Sequence, residues 1–225
     1  MRHERNIALA LAFTVIGAFS TAQAALLVTP NSDANVLAGA LAGSGVTITS
    51  ATLTTNTTDG VGSFSGGFST GLSIDSGVLL TTGTLANAVG PNNSGGATGA
   101  GSFAQLDFSF TTTTGSLFFN YIFGSEEYLE FVGSSFNDSF QLLLNGTNIA
   151  TLPGGGGAVT INNVNPGSNP SFFVNNPQVT GPLDLQYDGF TTLLTASATG
   201  LGTGPNTFSF RIADVGDSSF DSGVF

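Results

Sequence analysis

The sequence predicts an all-β fold, an antiparallel β-sandwich or jelly-roll-like domain with one short N-terminal helix. Short apolar segments recur along the chain between Gly, Pro and Asn residues, and several alternate apolar with polar residues as half-buried strands do. Asn145-Gly146 joins two such segments and favours a two-residue hairpin turn with positive φ at both positions. Many short strands with little helix are typical of antiparallel sandwiches and jelly rolls.

The first 24 residues have the features of a secretory signal peptide. Arg2 and Arg5 form a basic start, residues 7–19 are apolar, and Ala22-Gln23-Ala24 matches a small-residue cleavage site. The apolar run is shorter than the roughly 20 residues that a membrane span needs. We therefore expect cleavage after Ala24 and export of residues 25–225 as a single β-sandwich domain.

The helix and the strands can be placed from local patterns. Asn31-Ser32-Asp33 supplies helix-capping side chains, and the apolar residues from Val36 to Leu41 share one helical face before Gly43. Strands are predicted from residue 46 onward and over residues 61–68, 77–82, 103–110, 117–123, 139–144, 148–152, 159–162, 171–174, 190–196, 207–213 and 222–225.

The composition excludes several classes of active site. Without the signal peptide, the chain keeps one basic residue, Arg211, against thirteen carboxylates, which gives a formal charge of −12, and it has no Lys, His or Cys. A Ser–His–Asp triad, a cysteine nucleophile, a Schiff-base lysine and a zinc site with His or Cys ligands are therefore excluded. Nucleic acid is not an expected partner, because phosphate binding needs a basic patch. The remaining oxygen-bearing side chains suit a hard cation or sugar hydroxyls.

Carboxylates concentrate in a chain of which only 8% is charged. One group lies between two predicted strands, in residues 126–138, and another lies in residues 214–221. Neighbouring carboxylates without a basic partner repel one another, and a bound cation relieves that repulsion. We therefore predict a Ca²⁺ site, rather than a Mg²⁺ site, in these pliant loops, with the candidate ligands Glu126, Glu127, Asp138, Asp214, Asp217 and Asp221. The alternative is that they are solvated loop residues that keep an exported protein soluble.

Several longer motifs follow one another in a fixed order. They are IDSGVLLTTG (74–83), AVGPN (88–92), YIFGSEEY (121–128), FND (136–138), INNVN (161–165), QYDGFTT (186–192), IADVGD (212–217) and DSGVF (221–225). Together they resemble the choice-of-anchor L domain family of bacterial exported proteins, whose members often carry a PEP-CTERM sorting tail. The resemblance implies a surface or extracellular location and points to no enzyme class.

The resemblance also bears on the end of the sequence. Family members typically continue past the last of these motifs, whereas this sequence stops at Phe225, inside a predicted strand. We therefore expect the domain to be truncated and to leave an unfinished strand at an open sheet edge. The full reading frame is expected to add a strand, a Pro-rich spacer, an apolar segment of about 20 residues and a basic tail. Membrane attachment would come only through that C-terminal anchor.

The expected function is that of a non-catalytic cell-surface or extracellular-matrix domain, stabilised by calcium, with a binding or structural role. Its expected partners are extracellular polysaccharide or other surface proteins. Two alternatives remain, a carbohydrate-binding module and a carboxylate-dependent polysaccharide hydrolase. The hydrolase needs two carboxylates about 5 to 10 Å apart, for which Glu127 with Asp138 or Asp188 are the candidates. The absence of Trp and the scarcity of Tyr count against an aromatic sugar platform.

Overall fold

A computed structural model describes residues 25–94 and 101–225, so the predicted signal peptide lies outside the described residues. One α-helix, α1 (Ala34–Leu41), follows the first strand. The strands are, in chain order, β1 (Leu27–Pro30), β2 (Val46–Thr55), β3 (Val61–Ser65), β4 (Gly77–Thr81), β5 (Phe103–Thr112), β6 (Ser116–Tyr121), β7 (Phe123–Ser125), β8 (Ser139–Leu144), β9 (Thr147–Asn148), β10 (Val159–Thr160), β11 (Phe173–Asn175), β12 (Gly189–Thr191), β13 (Leu194–Thr199), β14 (Asn206–Ala213) and β15 (Ser222–Val224). Short 3₁₀ turns lie at Gly67–Thr70, Leu85–Ala88, Pro153–Gly155 and Pro170–Phe172.

The strands form two main sheets. One sheet has seven strands in the order β1-β3-β4-β15-β7-β12-β11, and the other has six, in the order β10-β8-β14-β5-β2 with β9 beside β8. A separate ribbon pairs β13 with β6. Every one of these pairs is antiparallel. The predicted all-β sandwich is therefore confirmed.

The six-stranded sheet has one buried face and one solvated face. Along β5 and β14, buried residues alternate with partly or fully exposed ones, as the sequence alternation predicts. Phe108, Phe208 and Phe210 stack with one another on the buried face. This face packs against the seven-stranded sheet, whose Val78, Leu80 and other apolar residues belong to the same core.

The central strands of the seven-stranded sheet, β4, β15, β7 and β12, are buried on both faces. Val78 and Leu80 face the main core, whereas Leu79, between them, belongs to a second apolar cluster with Phe64, Phe225 and neighbouring residues. Loops and short turns cover this second side. Because both faces are buried, strands such as β4 read as continuous apolar runs and not as alternating ones.

Local predictions are confirmed where short-range chemistry decides the structure. Asp33 caps α1 by accepting hydrogen bonds from the backbone N–H groups of Asn35 and Val36. Asn145 and Gly146 both have positive φ and connect the paired strands β8 and β9. The expected hairpin is therefore present at the expected place.

Several of the predicted strands are wrong in their extent, and two of them are interrupted. Residues 117–123 and 190–196 were each expected to form one strand, but each divides into two short strands that lie in different sheets. In the first case Tyr121 packs in the main core, whereas Ile122 packs in the second apolar cluster. The chain crosses from the ribbon to the seven-stranded sheet at this point, and a continuous apolar run does not reveal such a crossing.

The expectation of an open sheet edge at the last strand is also wrong. β15 lies inside the seven-stranded sheet and pairs with β4 on one side and β7 on the other. Phe225 is buried, and its backbone N–H and C=O both bond to Ile122. The last residues of the sequence are therefore structural residues of the sheet interior and not an unpaired edge.

Candidate metal centre at the ends of four strands

The antiparallel register brings two of the acidic motifs together in the seven-stranded sheet. Ser125, the last residue of β7, pairs with Ser222, the first residue of β15. Glu126 and Asp221 therefore lie next to each other, and the Glu126 backbone N–H donates to the Asp221 carbonyl at 3.0 Å. Both carboxylate side chains are buried.

The six-stranded sheet repeats this arrangement with another pair of acids. Ser139 at the start of β8 pairs with Ala213 at the end of β14, which places Asp138 beside Asp214. These two acids lie at the same end of the sandwich as Glu126 and Asp221. We refer to Glu126, Glu127, Asp138, Asp214 and Asp221 as the acidic centre.

Asp138 connects the two sheets. One of its carboxylate oxygens, Oδ1, accepts a hydrogen bond from the Val215 N–H, just after β14, at 2.8 Å. The other, Oδ2, accepts one from the Ser222 hydroxyl, in β15, at 2.7 Å. Asp138 is 0% exposed, so its two bonds are part of the protein interior. A single carboxylate therefore ties the end of one sheet to the end of the other.

Glu127 is the most unusual member of the acidic centre. Its side chain is 1% exposed, and neither carboxylate oxygen has a hydrogen-bond partner in the described structure. Its backbone N–H is held by the Ser125 hydroxyl at 2.9 Å, which fixes the turn after β7. Burial, followed by the charges of Asp138, Asp217, Asp214 and Glu130, raises the pKa of the Glu127 carboxyl to about 8.

Raised pKa values also favour the neutral form of three other members of the centre, Asp214, Asp138 and Asp221. Burial, followed by the charges of Asp138 and Asp217, raises the pKa of Asp214 to about 8. Burial raises the pKa of Asp138 to about 6, although its bonds to Ser222 and Val215 oppose the shift. Burial likewise raises the pKa of Asp221 to about 6 against the opposing bond from Asn87. Burial is the first cause of the shift in each of these three carboxyls and makes their ionised forms unfavourable.

The inner wall of the centre is built from residues that the sequence analysis did not single out. The Asn87 side chain donates to Asp221 Oδ2, while Asp221 Oδ1 is buried without a partner. The Tyr187 hydroxyl is buried nearby, and burial together with the charges of Asp221 and Glu126 raises its pKa. A Cβ on Gly83 would lie 1.8 Å from Asp221 Oδ2, so only glycine fits there.

Two acids lie on the outer side of the centre. Asp217 is exposed and accepts a hydrogen bond from the Ser219 N–H at 2.9 Å, and its charge acts on Glu127, Asp138 and Asp214. Glu130 is also exposed, and its charge acts on Glu127. All six predicted ligands therefore fall in one region.

Asp188, the other candidate partner of Glu127 in a hydrolase, is held elsewhere. Its Oδ1 accepts a hydrogen bond from the Asn92 side chain at 2.7 Å, and burial raises its pKa. Asp188 is not among the charges that act on Glu127. Of the two proposed carboxylate pairs, the structure brings together Glu127 and Asp138 only.

The acidic centre is not a finished coordination shell. In residues 25–94 and 101–225, no group of three or more Asp, Glu or His side chains already has an arrangement that could hold a metal ion. The carboxylates are near enough to raise one another's pKa, but their arrangement would have to change before they could share one ion. Ca²⁺ tolerates such irregular, adjustable oxygen shells better than Mg²⁺ does.

A family model covers almost all of the described chain. The model for the choice-of-anchor L domain matches residues 27–225. The chain belongs to the choice-of-anchor L domain family. No curated protein and no solved structure gives a significant match.

Membership of the choice-of-anchor L family implies an exported protein associated with the cell surface. Within the part of the chain that the structure describes, no helix is long and apolar enough to cross a membrane. The match also covers all the strands that carry the acidic centre. The centre is therefore part of the choice-of-anchor L domain itself and not of an added segment.

Proposed function

We propose that this domain is a non-catalytic, exported surface module whose two sheets are held together by a Ca²⁺ ion in the acidic centre. The observation that carries the proposal is the burial of Glu127 with both carboxylate oxygens unpartnered. A buried polar group without a partner is costly, and a buried charge without one is costlier still. A bound cation would remove that cost.

The charge balance supports a cation in particular. Three more carboxylates of the centre, those of Glu126, Asp138 and Asp221, are also buried. The sole basic residue after the signal peptide, Arg211, is exposed on the outer face of β14. No lysine or histidine exists in residues 25–225 to neutralise the centre. A metal ion is therefore the available source of positive charge.

The ligand chemistry favours Ca²⁺. The centre offers carboxylate, hydroxyl, amide and backbone oxygens, which are hard ligands, and Ca²⁺ takes six to eight of them at about 2.3 to 2.6 Å. Asp138 would link the ion to both sheets, because its two oxygens already contact Val215 and Ser222. Asp217, in its exposed loop, would close the site from the solvent side.

Burial argues against the hydrolase alternative. A raised pKa on Glu127 beside a second carboxylate is the pattern of a general acid in a glycosidase. However, Glu127 is 1% exposed and Asp138 is 0% exposed. A sugar ring could not reach between them unless the surrounding loops moved apart, whereas a single ion can bind during folding.

The test measures thermal unfolding of residues 25–225 in EGTA and in calcium. Calcium at a hundred times its dissociation constant should add about 2.7 kcal/mol to the free energy of unfolding. The Glu127→Gln variant should gain much less from calcium. In EGTA, however, it should melt no lower than the parent, because the substitution removes a buried acid without a partner.

The matched control is Asp184→Asn, which removes a charge that is not among those acting on the acidic centre. This variant should keep the full response to calcium, while Asp217→Asn should lose part of it. Identical melting curves of the parent in calcium and in EGTA would overturn the proposal. A polysaccharide turnover that Glu127→Gln abolishes would favour the hydrolase instead.

A further inference from the structure

A second polar site lies on the solvated face of the six-stranded sheet, on the opposite side of that sheet from the core. A depression of about 420 Å³ opens there, within the usual size range of small-molecule sites. Its polar lining comes from β2, β5 and β14 and consists of Ser50, Thr52, Gln105, Asp107, Ser109, Thr207 and Ser209. We call it the sheet-face depression.

The strand register explains the shape and the chemistry of this depression. Asp107 of β5 pairs with Thr52 of β2 on one side and Ser209 of β14 on the other. Ser209 in turn pairs with Leu143 of β8. The small hydroxyl side chains of Ser109, Thr207 and Ser209 therefore lie on the two central strands, β5 and β14, and form the floor of the depression. Phe108 and Phe208 turn their rings into the core below.

The floor carries fixed hydrogen-bonding groups. The Gln105 side-chain amide donates to both oxygens of the Asp107 carboxylate, at 3.0 and 2.9 Å. These bonds hold the carboxylate in place and leave its other lone pairs available. The Ser209 hydroxyl is buried and has no hydrogen-bond partner in the described structure. An immobilised acceptor and an unsatisfied hydroxyl therefore lie side by side, at paired positions on adjacent strands.

We propose that the sheet-face depression binds a neutral saccharide. Sugar hydroxyls both donate and accept hydrogen bonds, so one ring can bond to Asp107 and to the hydroxyl of Thr52, the exposed residue paired with it on β2. The formal charge of residues 25–225 is −12, which disfavours acidic sugars and other anions. A peptide that binds by strand addition would need an open strand edge, whereas the central strands of this face are paired on both sides.

Recognition at this site rests on hydrogen bonds and not on ring stacking. No Tyr or Trp lines the depression, so the site lacks the aromatic platform of many sugar-binding surfaces. Binding of a single sugar unit is therefore weak, and a polymer with many identical units is the appropriate probe. The site is independent of the acidic centre, because none of the carboxylates of that centre lines it.

The test is affinity electrophoresis of residues 25–225 in native gels that contain dextran, laminarin, galactomannan or xyloglucan, with alginate as the anionic comparison and calcium present throughout. At least one neutral polysaccharide should retard the protein, and alginate should not. Asp107→Asn should weaken the interaction about tenfold or more, because a hydrogen bond to a charged group is lost. Ser209→Phe should abolish it by filling the depression.

Two controls separate binding from folding. Asp184→Asn, a loss of one charge outside the depression, and Thr47→Ala, on an exposed part of β2, should migrate as the parent does. Melting of Asp107→Asn and Ser209→Phe should stay close to that of the parent. The proposal would be overturned if no neutral polysaccharide retarded the protein, or if alginate alone did so. It would also be overturned if both Asp107→Asn and Ser209→Phe were retarded as the parent is, or if they lost the interaction only because they no longer folded.

Discussion

The acidic centre and the sheet-face depression both present aspartate and serine side chains, but only the acidic centre contains completely buried aspartates, Asp138 and Asp221. Asp107 lies on a solvated face, and both of its carboxylate oxygens accept hydrogen bonds from the Gln105 side-chain amide. Asp138 is 0% exposed and is surrounded by other acids. Water stabilises the first carboxylate, whereas the second depends on protons or on a cation. Burial, and not the number of acidic residues, therefore decides whether such a cluster needs an ion.

The largest expected effect is a pH dependence produced by the carboxylates of the acidic centre. In EGTA, the free energy of unfolding should fall as the pH rises from about 4 to above 8. The folded-state pKa values of Glu127 and Asp214, about 8, and of Asp138 and Asp221, about 6, lie above the ordinary values of 4.5 for Glu and 3.8 for Asp. The folded state therefore holds more protons within this window.

The stability gained from these protons is fully present below the ordinary pKa values and is lost as the pH passes the raised ones. Each pKa unit corresponds to about 1.4 kcal/mol, and four carboxylates contribute, so the change should be easy to measure by urea unfolding at pH 5, 7 and 9. Calcium should reduce the slope, because it replaces protons at the same oxygens. A free energy that rises with pH in EGTA would contradict the prediction.

A smaller effect should distinguish single residues of the two regions. In calcium, Asp138→Ala leaves the Val215 N–H and the Ser222 hydroxyl without their acceptor. At about 1 to 3 kcal/mol for each buried group, the loss should be about 2 to 6 kcal/mol. Asp107→Ala on the solvated face should change the free energy by only about 0.5 kcal/mol. Urea unfolding of both variants is the measurement, and equal losses would show that the two regions do not differ.

The smallest expected effect concerns Arg211. Its side chain is exposed on β14, opposite Gln105 and Gln141 and not opposite a carboxylate. Arg211→Gln should therefore lower the free energy of unfolding by less than about 1 kcal/mol, and its calcium response should equal that of the parent. A larger loss, or a weakened calcium response, would mean that this arginine neutralises the acidic centre after all.

The sequence predicted most reliably what is local or periodic. The alternation along β5 and β14 is visible because one face of their sheet is solvated. The cap at Asp33 and the turn at Asn145-Gly146 follow from the chemistry of single residues. In contrast, the chain crossing at Ile122 was missed. A sheet buried on both faces gives continuous apolar runs, and these runs show no alternation that would reveal which face each side chain occupies.

The candidate site shows the same division. Its acids were noticed because charged residues are rare in this chain. Their meeting depends on the pairing of Ser125 with Ser222 and of Ser139 with Ala213, and a single sequence does not reveal such long-range registers. Asn87 and Tyr187 were missed for this reason: each is an ordinary polar residue until the fold places it beside Asp221.

The position of β15 also has a consequence for biosynthesis. In the spatial order of the seven-stranded sheet, β15 is the strand that joins β1-β3-β4 to β7-β12-β11. Its hydrogen bonds with Thr82 span 140 residues of sequence. A chain that emerges N-terminus first therefore holds two separate half-sheets until residues 222–224 arrive. The seven-stranded sheet can therefore become continuous only after nearly all of residues 1–225 have been made, which makes its closure a late step in folding.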